Sequence, residues 1–280
     1  MLVMPNVPSL RLNTGTSIPQ VGLGVFQIPP EKTTAAVATS IERGYRSIDT
    51  ARAYHNEEQV GRAIADSGLG RDEIFVTTKL WNDAHGEDSA RRAFDKSLER
   101  LGLDAVDLYL VHWPVPSRNR YVETWKALEE VYDEGLARAI GVSNFQPSHL
   151  QRLLAECDVV PAVNQIELHP RFPQAELRAF HEAHGILTEA WSPLAQGELL
   201  DDAAIGGIAA AHGRTHAQVI LRWHVQLGNV AIPKSVTPGR IQTNIDVFDF
   251  ELSDKQMRSI GALDAGADGR IGPYPDSFGN

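Results

Sequence analysis

The sequence predicts an α/β fold, a closed (α/β)8 TIM barrel preceded by a β-hairpin and followed by an extra C-terminal helix. Three observations carry this. Apolar, β-rich runs alternate with helical patterns along the chain, the pattern of parallel strands joined by crossover helices. The length, 280 residues and 30.7 kDa, suits barrels that use about 250 residues in one unit. No Pro/Ser-rich linker, low-complexity tract or break in composition interrupts the chain, so residues 1–280 read as one domain.

The elements follow in order. SLRLNT (9–14) and TSIPQVGLG (16–24) flank Gly15 and read as a short hairpin leading into a first strand. Helix 31–44 has small and apolar residues at helical spacing and stops at Gly44; strand 47–51 is next, then a helix from Gln59 to Gly68. Strand 74–80, helix 88–102, strand 107–113 and helix 121–135 continue the alternation, with Gly102 and Gly135 placed as helix stops. Strand 137–145, helix 148–157, strand 161–170, helix 174–185 and strand 186–194 come next. Helical material within 202–227, strand 229–236 and helix 237–248 complete eight units. Residues 251–266 form the extra helix, with Ser253 near its start, and a Gly/Pro-rich tail covers 269–280.

Composition narrows the function classes. Apolar residues make up 42% and charged residues 22%, ordinary globular usage that argues against disorder. With 36 acidic against 26 basic residues the formal charge is −10, an unfavourable field for nucleic acid or anionic membranes. Cys157 is the single cysteine, which excludes an intrachain disulfide and a multi-cysteine metal site and points to the cytoplasm. The first ten residues lack a secretory pattern, and no apolar run approaches the roughly 18 residues of a membrane span.

Four polar residues fall at strand ends or in the turns that follow them: Asp49, Tyr54, Lys79 and His112. Barrels present their catalytic groups there. Hydride reduction of a carbonyl leaves negative charge on oxygen, and Tyr54 can supply the proton that quenches it. An ordinary tyrosine has a pKa of about 10, and a Lys79 ammonium nearby is expected to lower it toward working pH. Asp49 would keep a buried Lys79 charged, while His112 would hold the carbonyl oxygen from the other side. Singly, each residue has a plain structural reading: Asp49 as a cap, Lys79 snorkelling from a strand end, His112 as a hydrogen-bonded core residue, and Tyr54 on the surface. Their joint occurrence on adjacent strand ends favours chemistry.

Nine segments resemble the aldo-keto reductase family, and in particular its short bacterial members similar to 2,5-diketo-gluconate reductases. They are GLGVFQ (22–27), DTARAYHNEE (49–58), TKLWN (78–82), DLYLVHWP (107–114), IGVSNF (140–145), NQIELHP (164–170), AWSPL (190–194), IPKSVTPGRIQTN (232–244) and DGRIGPYPDSF (268–278). The resemblance implies hydride transfer between NADPH and an aldehyde or ketone, with Asp49, Tyr54, Lys79 and His112 as the catalytic tetrad. It assigns Ser143, Asn144 and Gln165 to the nicotinamide carboxamide and Trp191 to stacking on the ring. Ser192 and Leu194 fall on the pyrophosphate path, Lys234, Ser235 and Arg240 at the adenosine 2′-phosphate, and Asn244 at adenine. Phe26, Trp81, Trp113, Tyr274 and Phe278 would wall the substrate pocket. Two positions depart from the pattern: Thr243 stands where relatives often carry Glu, and Ala195 replaces a glycine common after SPL.

Other classes fit less well. A metal-dependent barrel hydrolase would need a ligand set, but the chain has no HExxH, and HEAH (181–184) spaces its histidines at i,i+3. No metal is expected. A Rossmann dehydrogenase would need a glycine turn that GLGVFQ does not complete. An NADPH-binding regulatory protein with little turnover is the remaining alternative, and the complete tetrad argues against it. The expected partner is a small carbonyl compound, such as an aldehyde, an α-dicarbonyl or a keto sugar, bound by a monomer.

Overall fold

The computed structural model describes residues 7–279, beginning with an antiparallel hairpin of β1 (Ser9–Arg11) and β2 (Ser17–Pro19). Sequence readings that touch residues 1–6 or Asn280 lie outside the described residues. Eight parallel strands follow in chain order: β3 (Leu23–Gly24), β4 (Ser47–Asp49), β5 (Phe75–Leu80), β6 (Leu108–Val111), β7 (Ile140–Ser143), β8 (Val163–Glu167), β9 (Leu187–Trp191) and β10 (Val230–Ala231). Each pairs with the next. The last strand returns to the first. The Ala231 N–H donates to the Gln20 carbonyl and the Gly22 N–H to the Ala231 carbonyl, both at 3.0 Å, with a parallel bridge from Val21 to Ala231. The barrel is thereby closed.

The helices cover the outside: α1 (Pro30–Glu42), α2 (Glu57–Ala65), α3 (Glu87–Leu101), α4 (Tyr121–Asp133), α5 (Pro147–Glu156), α6 (Ala175–Ala183), α7 (Ala203–His212), α8 (His216–Gln226), α9 (Pro238–Ile245) and α10 (Asp254–Gly261). Their apolar faces, through residues such as Val37, Phe94, Leu128 and Ile220, share one buried cluster with Ile48, Val76 and Tyr109 of the strands. Full burial of each such side chain contributes about 1.5–3 kcal/mol. The hairpin has a separate task. Leu12 and Ile18 are buried with Phe75, Leu108, Val163 and Val230, each the first residue of its strand. It plugs the N-terminal end of the barrel and leaves the C-terminal end for function.

Several elements are shorter than the sequence reading, the extra helix among them at Asp254–Gly261 instead of 251–266, and three differences have a physical reason. Helix α2 begins at Glu57 rather than Gln59, because the Glu57 carboxylate is buried and satisfied by Thr78 Oγ1 at 2.6 Å and Arg100 Nε at 2.6 Å. Residues 202–227 hold two helices. Gly213 ends the first in a left-handed conformation, and the Thr215 side chain caps the second. The predicted strand 229–236 is reduced to Val230–Ala231 in β10, since Pro233 has no N–H for a ladder.

Candidate active site

Parallel strands side by side deliver neighbouring side chains to one place, and that is what assembles the tetrad. Asp49 ends β4, and the chain then turns through a short 3-10 segment, Arg52–Tyr54. Lys79 lies on the adjacent β5, fully buried, and His112 follows β6, its N–H bonded to the Leu80 carbonyl. The Lys79 ammonium donates to Asp49 Oδ1 at 2.5 Å, to the Thr50 carbonyl at 2.9 Å and to the Tyr54 hydroxyl at 3.5 Å. All three of its donors are therefore engaged. The Tyr54 and His112 rings meet edge on, with centroids 5.7 Å apart.

The electrostatics follow from burial. Desolvation pulls Lys79 down, yet the acidic groups around it, Asp49 foremost, together outweigh that and leave the ammonium above its ordinary pKa. The same burial pushes the Asp49 carboxyl up, against the opposing pull of the Lys79 ammonium and the Gln165 amide. His112 is held well below its usual value by burial and by Lys79, so its imidazole is neutral. Tyr54 corrects the sequence expectation. Burial, reinforced by the Asp49 charge, pushes its phenol up to about 12 against the pull of Lys79. At neutral pH Tyr54 carries its proton.

The residues assigned by resemblance to a carboxamide are also brought together, and they bond to one another. Ser143 Oγ donates to the Gln165 carbonyl at 2.9 Å. Asn144, at a left-handed φ of 64°, donates from Nδ2 to the His112 carbonyl and to Ser143 Oγ, both at 3.0 Å, and its Oδ1 accepts from Trp191 Nε1 at 2.8 Å. Gln165 spends both amide hydrogens on carboxyl oxygens: Asp49 Oδ2 and Glu189 Oε2, each at 2.8 Å. Gln165 Oε1 is left as the acceptor of that side chain.

Glu189 is a member of this network that the sequence reading missed. It lies in register with Gln165 on β9, is fully buried, and has Oε1 without a partner among the described residues. Burial, reinforced by the Asp49 charge, pushes its pKa up to about 8, so it is predominantly protonated at neutral pH. Glu167, at the end of β8, was missed as well. Spacing alone does not mark either: β8 (VNQIE) and β9 (LTEAW) carry other polar residues, so an acidic side chain on the inward-alternating face does not stand out.

The aromatic residues divide. Phe26 packs against Tyr54 at 5.0 Å, Trp81 against His112 at 5.1 Å, and Phe278 against Trp113 at 4.3 Å, so these four surround the tetrad. Tyr274 instead lies on the Arg270 guanidinium, 5.2 Å from its ring. Ser192 (φ 47°) and Ala195 (φ 49°) both take left-handed backbone on the loop after β9, so Ala195 adopts a conformation suited to the glycine it replaces. Leu194 is half-buried on the same loop. At the far end, Lys234 and Arg240 are exposed on either side of the α9 start, with no ion-pair partner among the described residues. Ser235 Oγ accepts the Thr237 N–H at 3.1 Å, Asn244 is buried, and Thr243 bonds the Arg240 carbonyl. Among the described residues no three His, Cys, Asp or Glu side chains gather as a metal site requires, and no helix is long and apolar enough to cross a membrane.

Comparison with known proteins bears on this arrangement. A family model described as the aldo/keto reductase family matches residues 18–265. An aldo-keto reductase of Mycolicibacterium smegmatis is 58% identical over 271 residues, covering 97% of this chain and 98% of the relative. Methylglyoxal reductase DkgA of Escherichia coli K12 is 50% identical over 278 residues, covering 99% and 100%. Among solved structures, a mutant of Gox0644 in complex with NADPH superposes with a TM-score of 0.93 at 49% identity, covering 97% of this chain and 98% of that one.

Proposed function

The chain belongs to the aldo/keto reductase family, and from that premise we propose that it uses NADPH to reduce small aldehydes, ketones and α-dicarbonyls to alcohols, with Tyr54 as the proton donor. The observation that carries the reading is the Tyr54 hydroxyl set 3.5 Å from the Lys79 ammonium, which Asp49 holds at 2.5 Å, with the His112 ring edge on to the phenol at 5.7 Å.

NADPH, when bound, supplies the hydride. Everything else falls to the residues of the chain. Tyr54 and His112 offer two donors converging on a carbonyl oxygen, and each donor aimed at a developing oxyanion is worth about 10²–10³ in rate. Tyr54 then gives up its proton. The phenolate left behind faces the Lys79 ammonium 3.5 Å away, which stabilises it, while Asp49 holds that ammonium in place. Neutral Glu189 leaves the Lys79–Asp49 pair without a second buried negative charge beside it.

The residues present fit the cofactor. Lys234 and Arg240 are free to form charge-assisted bonds with a 2′-phosphate, and Ser235 adds a hydroxyl. Ser143, Asn144 and Gln165 offer groups for a carboxamide, and the Trp191 indole, its N–H already committed to Asn144, offers an apolar face for stacking. Asn244 would contact adenine, with Ser192 and Leu194 beside the pyrophosphate. Phe26, Trp81, Trp113 and Phe278 make a compact, apolar-walled pocket that favours methylglyoxal-sized carbonyls over hydrated keto sugars. The enzyme works as a one-domain monomer in the cytoplasm.

A steady-state screen of aldehydes, α-dicarbonyls and keto sugars, following NADPH absorbance, tests this. We expect turnover of compact aldehydes and dicarbonyls, with a higher KM for keto sugars. No NADPH consumption with any carbonyl would sink the proposal.

A further inference from the structure

The C-terminal segment crosses the mouth of the barrel, and a buried carboxylate holds it there. Glu167 Oε1 accepts the Ile271 N–H at 2.6 Å and Oε2 accepts the Gly272 N–H at 2.8 Å, while His169 Nε2 lies 3.0 Å from Oε1. The Glu167 side chain is 1% exposed, so neither oxygen has bulk water as an alternative partner. Burial pushes its pKa up, but these hydrogen bonds outweigh that and leave it below the usual value, so both oxygens stay acceptors at neutral pH. Two successive backbone N–H groups pointing at one carboxylate form an anion nest, here built from the tail itself.

The held backbone touches the site. A Cβ on Gly272 would lie 2.3 Å from Trp191 Cη2 and 2.9 Å from Glu167 Oε2, so only glycine lets the segment rest on the indole. Trp191 passes the contact inward through Asn144 to the His112 carbonyl. Beyond the latch, Arg270 lies over the Phe172 ring at 4.5 Å, Asp276 lies 3.4 Å from His149, and Phe278 lies on Trp113. Glu167 therefore sits where one carboxylate controls both the Trp191 edge and the start of the segment that delivers Phe278 to the pocket.

We propose that Glu167 is a positioning residue for the carbonyl substrate: by pinning Ile271 and Gly272 it seats the C-terminal segment on Trp191 and brings Phe278 onto Trp113. Its effect on catalysis rests on the carbonyl-reductase reading; the latch itself does not. Glu167→Gln replaces one acceptor oxygen by an NH2 group that faces donors, whereas Glu167→Asp keeps two acceptors on a shorter arm.

The experiment combines amide hydrogen exchange at Ile271 and Gly272, which needs no substrate, with steady-state kinetics on aldehydes of increasing size. For Glu167→Gln we expect exchange at both amides to accelerate by about tenfold or more, the loss of a charge-assisted bond. KM for the larger aldehydes should shift by a similar factor with kcat little changed, and Glu167→Asp should recover part of both. Gly272→Ala leaves the carboxylate intact and provides a second variant; it should displace the segment and shift the same KM values. Unchanged exchange in Glu167→Gln would overturn the latch. Accelerated exchange with wild-type KM values for every aldehyde would overturn its role in positioning substrate. A wild-type protein that reduces no carbonyl would fail the functional reading and leave the exchange result standing.

Discussion

The two ends of the site are built in opposite ways. At the catalytic end Lys79 is fully buried, its three donors are engaged, and Asp49, Gln165 and Glu189 tie it across the barrel. At the end proposed for adenosine, Lys234 and Arg240 stand exposed with no ion-pair partner among the described residues. Folding alone assembles the first, so its geometry is set before any ligand arrives. The second is left free for an anion. In the proposed function, preorganisation lies where charge would develop during reaction, and adaptable cations lie where binding would need only affinity.

The largest effect should come from breaking the buried end. Lys79→Met leaves the Asp49 carboxyl without its ammonium, and removing one partner of a buried pair costs about 3–5 kcal/mol. Urea unfolding reads this, and turnover should fall with it. A loss of less than about 1 kcal/mol would show that the pair does not organise the site. The contrasting change, Lys234→Ala with Arg240→Ala, should leave stability within about 0.5 kcal/mol, as exposed substitutions usually do. It should weaken NADPH binding about a hundredfold or more while sparing NADH, since each of the two charge-assisted bonds is worth roughly 1.5–3 kcal/mol. Equal losses with both cofactors, by fluorescence titration, would remove these residues from the 2′-phosphate.

The buried end should also show a slope in pH. Glu189 has a folded pKa of about 8 against an unfolded value near 4.3, so between these limits the folded state holds a proton that the unfolded state has released. Its contribution to stability is fully present below the unfolded value and declines as pH rises toward the folded one. Glu189→Gln should flatten that part of the profile, measured by urea unfolding from about pH 5 to about pH 8. A slope identical to wild type would mean that Glu189 does not titrate there.

Legibility in the sequence followed the same divide. The barrel could be read because each strand and helix has its own period, and the tetrad because its four residues fall at strand ends. Glu167 and Glu189 could not be read in that way. Their partners are the backbone of Ile271 and Gly272 and the side chain of Gln165, contacts fixed by barrel closure and tail placement rather than by spacing. The direction of the Tyr54 shift was misread for a related reason. A sequence shows that Lys79 can approach Tyr54, but the balance between its charge and desolvation depends on burial, which only the fold reveals.

The central claim is that Tyr54 holds the proton delivered to the substrate. Tyr54→Phe keeps the ring against Phe26 and His112 while removing the hydroxyl. Single-turnover NADPH consumption with a reactive aldehyde, paired with an NADPH binding titration on the same variant, tests the claim most directly. The account predicts unchanged cofactor affinity and a hydride-transfer rate reduced by about 10²–10⁴, the loss of a general acid. A rate near that of the wild type, with NADPH bound as tightly, would contradict it.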